Sequence, residues 1–64
     1  MTHKLVHESK NYEFKCFLIL LGEFPVAIVQ TSLNGPYKTD FLDNSLIVIE
    51  EATKYIRNVD WSNQ

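Results

Sequence analysis

The sequence predicts an α+β domain: a small antiparallel sheet of three or four strands, followed by one C-terminal helix packed on one sheet face. Three observations predict it. Tyr12 to Leu21 alternate in strand fashion, with Tyr12, Phe14, Cys16, Leu18 and Leu20 on one face and Glu13, Lys15, Phe17, Ile19 and Leu21 on the other. Gly22-Glu23 and Asn34-Gly35 are tight-turn pairs between apolar runs. Beyond Thr39 the apolar residues recur at helical spacing as far as Val59. Strands followed by a helix, in the order β-β-β-α, argue for a sheet layer under a helix layer.

The elements follow in order. His3 to Glu8 reads as a short strand, with Leu5 and His7 facing one way and Lys4 and Val6 the other. Ser9, Lys10 and Asn11 supply turn chemistry. Tyr12 to Leu21 is a central strand, because one of its faces is wholly apolar and the other becomes so. Gly22 suits the first central position of a two-residue hairpin turn. Pro25 cannot donate to a ladder and so favours the start or edge of the third strand, Val26 to Ser32. Residues 36–39 suit either a fourth strand or a loop into the helix. The helix is expected to start near Thr39 or Asp40, with Asn44 or Ser45 able to cap a later start. Phe41, Leu42, Ser45, Val48, Ile49, Ala52, Tyr55, Ile56 and Val59 form its apolar stripe, and it ends near Asn58. Trp61 is placed to dock from an otherwise frayed tail.

The 64 residues make one small domain, 1–64. A domain of this size buries only about 60% of the surface its unfolded chain exposes. One cysteine excludes an internal disulfide framework and a cysteine-rich zinc site, so self-association or a partner is the expected supplement to the core. That core is expected from Phe14, Cys16, Leu18, Leu20, Ile28, Val48, Ile49, Ala52 and Ile56. The helix should therefore cover the face of Tyr12, Phe14, Cys16, Leu18 and Leu20. Phe17, Ile19 and Leu21 would then stay open as a contact surface. Ile47 points away from the helical stripe, among Asp43, Glu50, Glu51 and Lys54. The expected partner-binding residues are accordingly Phe17, Ile19, Leu21, Ile47, Glu50 and Glu51.

No catalytic, cofactor-binding or metal-ligating set is expected. His3 and His7 lie about 13 Å apart on a strand. Cys16 alternates with apolar residues, and nothing beside it supplies an oxyanion hole. Glu50 and Glu51 diverge on a helix, and Asp40 and Asp43 suit capping. Both glycines are used by turns, which leaves none for a phosphate-cradling loop.

Charge is uneven. Residues 1–39 hold four lysines against three glutamates, a net +1, whereas residues 40–64 hold two basic groups against five acidic, a net −3. A nucleic-acid binder carries a basic stripe, and here the more charged half is acidic. The expectation is a non-enzymatic protein-interaction module that binds a protein partner or a second copy through an open sheet face or strand edge. An inhibitor, an adaptor, an assembly subunit or a phage-type accessory protein acting on a host protein would all fit. The alternatives are a nucleic-acid-binding sheet-and-helix domain and an antitoxin-like subunit. A lone thiol, no secretory signal and no apolar run near the ~20 residues of a membrane span lead to the expectation of a soluble, cytoplasmic chain with no small-molecule substrate.

Overall fold

The computed structural model describes residues 1–11, 13–33 and 35–64. Four strands, β1 (Thr2–Glu8), β2 (Phe14–Leu21), β3 (Phe24–Ser32) and β4 (Lys38–Phe41), precede the helix α1 (Leu46–Asn58) and a 3₁₀ turn at Trp61–Asn63. The strands form one antiparallel sheet in the order β1-β2-β3-β4. Tyr12 and Asn34, on which the expected start of the second strand and the second tight turn fall, lie outside the described residues.

Local chemistry explains the connections. In the β1–β2 turn the Ser9 amide donates to the Phe14 carbonyl at 2.9 Å, and the Phe14 amide donates to Ser9 Oγ at 3.0 Å. Gly22 sits at φ 63°, the left-handed conformation that the two-residue β2–β3 turn requires. Residues 38–41 pair with β3 as a fourth strand, so the helix begins at Leu46 rather than near Thr39. Thr39 opposite Val29 and Phe41 opposite Ala27 gain ladder hydrogen bonds and cross-strand packing that a frayed first helical turn would lack. Asp43 Oδ1 accepts from the Ser45 amide at 2.7 Å, and the Ser45 carbonyl accepts the first helical bond from Ile49. Phe41 and Leu42 therefore leave the helical stripe, and both are exposed.

The core is Phe17, Ile19, Val26, Ala27, Val29, Ala52, Ile56 and Trp61, with Val48, Tyr55 and Val59 packed against it. The helix thus lies on the face of Phe17 and Ile19, opposite to the expected one. The expected core residues Phe14, Cys16, Leu18, Leu20 and Ile28 are exposed or half-buried, and Val48 and Ile49 are half-buried. The cause lies in the cross-strand partners. Phe17 and Ile19 pair with Val29 and Ala27, whereas Cys16 pairs with Gln30, and Leu18 and Ile28 are flanked by Lys4 and Asp40. A helix on that second face would bury a lysine and an aspartate; on the first the flanking positions are Leu5 and Phe41 with His3 and Thr39, and no lysine or carboxylate.

Two bulges adjust the faces. One falls between Ile19 and Leu20 opposite Val26, which turns the consecutive residues Val26 and Ala27 both into the core, at 2% and 0% exposure. The other falls at Val6, between Leu5 and His7. It leaves Leu5 on the helix side opposite Phe17 and moves His7 to the Lys4 side opposite Cys16, which breaks the simple alternation expected for β1.

Trp61 closes the core at its far end. Its indole Nε1 donates to the Ile56 carbonyl at 3.0 Å, satisfying a backbone acceptor of the last helical turn. Its ring lies 5.1 Å from Phe17 and 5.0 Å from His3, centroid to centroid. His3 is therefore a packed residue. Gln64 Nε2 donates to the Asp60 carbonyl, which turns Gln64 Oε1 toward His3 Nε2 at 2.7 Å. With that nitrogen donating, His3 Nδ1 accepts from the Tyr55 hydroxyl.

Two outcomes follow from this packing. Ile19→Ala, at a fully buried site, should cost about 2–5 kcal/mol, and Leu18→Ala, at a half-exposed one, about 1 kcal/mol or less. Chemical denaturation of the two variants reads the difference, and equal losses would contradict the face assignment. Burial raises the Tyr55 hydroxyl above the ordinary phenol value of 10.0. The folded chain then holds this proton more tightly than the unfolded one. The contribution is complete below the ordinary value and is lost as pH rises through the raised one. Melting temperature followed from roughly pH 9 to 11.5 should fall more steeply for wild type than for Tyr55→Phe.

Candidate functional site

The six residues expected to bind a partner do not share a surface. Phe17 (2% exposed) and Ile19 (0%) lie beneath the helix, because the helix took their face. Leu21 is exposed at the β2–β3 hairpin end, and Ile47, Glu50 and Glu51 are exposed on the helix. Glu50 is paired with Lys54 at 3.6 Å, one turn along the helix.

The surface left uncovered is the opposite sheet face. Both the helix and the Trp61 turn pack on the Phe17 side. Residues directly opposite one another on paired strands share a face, so the register reads out the free face row by row. One row runs Lys4–Leu18–Ile28–Asp40 across all four strands. The next runs His7–Cys16–Gln30–Lys38. Thr2, Leu20 and Pro25 form a third row toward the hairpin end, and Phe14 and Ser32 lie toward the other end. The centre of the face is thus an apolar strip of Cys16, Leu18, Leu20 and Ile28, none of them fully buried. Exposed polar and charged groups flank it: Thr2, Lys4 and His7 on β1, and Gln30, Lys38 and Asp40 on β3 and β4. Among the described residues neither Lys4 nor Asp40 has an ionic partner within the chain.

Further exposed apolar side chains lie at the hairpin end and at the start of the helix. Leu21 and Phe24 flank the turn, and Phe41 pairs with Ala27 near the start of β3. The Leu42 amide donates to the Val26 carbonyl at 2.9 Å. Only four residues on, Leu46 and Ile47 open the helix. Phe24, Leu46 and Ile47 are each at least 75% exposed. Of these end residues, Leu21 and Ile47 were expected at the surface. The sequence signal at Phe24 is a phenylalanine at the foot of a two-residue turn. Phe41 and Leu42 were hidden by a false fit to the helical stripe.

Other features carry less chemistry. An open groove of about 390 Å³ runs beside Trp61 and Tyr37. Its lysine, Lys15, is held by Glu8 at 3.8 Å and donates to the Gln64 carbonyl. His3 and His7 face opposite sides of the sheet across the bulge. His7 pairs with Cys16 across β1 and β2, and Cys16 is a free cysteine. Among the described residues no three His, Cys, Asp or Glu side chains could hold a metal ion, and no helix is long and apolar enough to cross a membrane.

No protein-family model matches the chain, and no curated protein or solved structure is significantly similar to it. Its function is therefore argued from these surfaces.

The exposure of the free face is measurable through its thiol. Cys16 should react fully with an alkylating reagent in the folded chain at low micromolar concentration, without denaturant. Protection of the thiol until the chain unfolds, read by mass spectrometry along a denaturant series, would place a cover over this face.

Proposed function

We propose that this chain is a non-enzymatic protein-interaction module whose contact surface is the helix-free face of its sheet. The observation that carries the reading is the strip of Cys16, Leu18, Leu20 and Ile28. It forms the centre of a four-stranded sheet, has no layer above it among the described residues, and is bordered by polar groups on both sides. An apolar centre within a polar rim is the anatomy of a protein–protein contact. A contiguous apolar face without such a role would be a liability for so small a domain.

Charge placement supports a protein partner over nucleic acid. Lys4 and Lys38 lie on the free face at opposite edges, Lys38 beside Asp40, while Lys15 lies on the helix side against Glu8. Lys54 is paired along the helix with Glu50. These cations form no stripe of the kind a phosphate backbone would follow. The groups that could do acid–base or nucleophilic work are dispersed over both faces, which supports a binding role.

A photo-crosslinking residue at Leu18, introduced in the cells that make the chain, should yield protein adducts. The same residue at Glu51, on the exposed helix surface, should yield few. Leu18→Lys should weaken the complex at least tenfold while leaving the circular dichroism spectrum unchanged. Adducts chiefly to nucleic acid, or adducts from Glu51 in preference to Leu18, would overturn the reading.

A further inference from the structure

We infer that the helix-free sheet face pairs with the same face of a second copy of the chain, about a two-fold axis running parallel to the strands. The inference rests on the interaction reading above and names the partner for that surface. What selects a second copy is the row Lys4–Leu18–Ile28–Asp40. It carries a cation at one end, two apolar side chains in the middle and an anion at the other end. Its ends are three strand spacings apart, roughly 14 Å.

A two-fold contact uses the same patch on both copies, so the patch must complement itself. An axis parallel to the strands, passing between Leu18 and Ile28, reverses the row in the second copy. Lys4 then faces the second copy's Asp40, and Asp40 faces its Lys4. Leu18 meets the second copy's Ile28 in the middle, and Ile28 meets its Leu18. The alternative in-plane axis, perpendicular to the strands, keeps the order of the row. It would set lysine against lysine and aspartate against aspartate, which is unfavourable. The charges therefore select both the partner and the axis. The adjoining row is compatible: it sets Cys16 against Gln30 and His7 against Lys38, with no two carboxylates or two lysines face to face.

The size of the face sets the concentration range. Strands of 7, 8, 9 and 4 residues, rising about 3.3 Å per residue and spaced about 4.8 Å apart, present about 440 Å² of projected face per copy. The pair would bury on the order of 1,000 Å², just below the range of stable specific interfaces. Dissociation in the micromolar range is expected, so the assembly is read from about 10 μM to 1 mM.

The test is a charge exchange read by sedimentation equilibrium. Wild type should shift from monomer to dimer over that range. Lys4→Glu and Asp40→Lys each set like charges face to face twice per dimer, and each should weaken pairing at least tenfold. Both side chains are exposed at the outer strands, so each variant should keep the wild-type circular dichroism spectrum. An equimolar mixture of the two variants restores both complementary pairs. It should recover a dimer holding one chain of each kind, seen by native mass spectrometry. As a readout without substitution, alkylation of Cys16 in wild type should slow as chain concentration rises. A wild type that stays monomeric at 1 mM, single variants that pair as wild type does, or a mixture that stays monomeric would each overturn the inference. If wild type is monomeric while Leu18 still crosslinks to another protein, the second copy is the wrong partner and the interaction reading stands. If Leu18 yields no protein adduct either, both fall.

Discussion

Strand β2 is apolar on both faces, and a single 13-residue helix can cover only one of them. The rest of the molecule follows from how that conflict is resolved. The helix settles where the neighbouring strand is apolar as well, over Phe17, Ile19, Ala27 and Val29. Small residues at the contact, Ala27 on the sheet and Ala52 on the helix, let the two layers approach closely, and both are completely buried. The apolar residues of the other face remain as surface because the single helix is already committed. The interaction surface is thus the complement of the core within the same strand.

The two bulges do more than relieve strain in the ladder. A one-residue insertion shifts every later side chain on that strand to the other face. At Val26 the insertion adds a third β3 side chain to a core that otherwise has only Ala27 and Val29 from that strand. At Val6 it places His7 on the free face and returns Glu8 to the helix side, where it meets Lys15. The charged ends of the Lys4–Asp40 row precede or avoid both bulges. Lys4, Leu18, Ile28 and Asp40 stay in direct register across all four strands.

Much of the fold was legible because it is written locally. Alternation marked β2 and β3, glycine at a left-handed position marked their turn, and apolar spacing marked the helix and its end near Asn58. The choice of sheet face was not legible from β2 alone, since its two sides are almost equally apolar. Ala27 and Val29 against Gln30 decide it, and that comparison requires the register of a second strand. Phe41 and Leu42 misled because a short strand followed by a turn can match helical spacing by coincidence. Trp61 was recognised as a candidate to dock. Its partners His3 and Phe17 were not, because no local pattern reports a contact across more than forty residues. For the same reason Phe17, Ile19 and Leu21 were expected together on an open face, of which Leu21 alone is exposed, while the exposure of Ile47 follows from its position off the helical stripe.

The four strands form a meander in which each pairs with its neighbour in sequence, so the sheet assembles from hairpins that close short loops. The helix and Trp61 are joined to it by contacts between distant parts of the chain. Local opening therefore favours release of the helix from an otherwise paired sheet. In that opened form Phe17, Ile19 and Val29 join Cys16, Leu18 and Ile28 at the surface, and β1 and β4 still offer bare edges. A sheet that is apolar on both sides and open at both edges is a template for further strands. Helix docking thus acts as the guard against aggregation, and the chain's colloidal lifetime depends on how rarely that one contact opens.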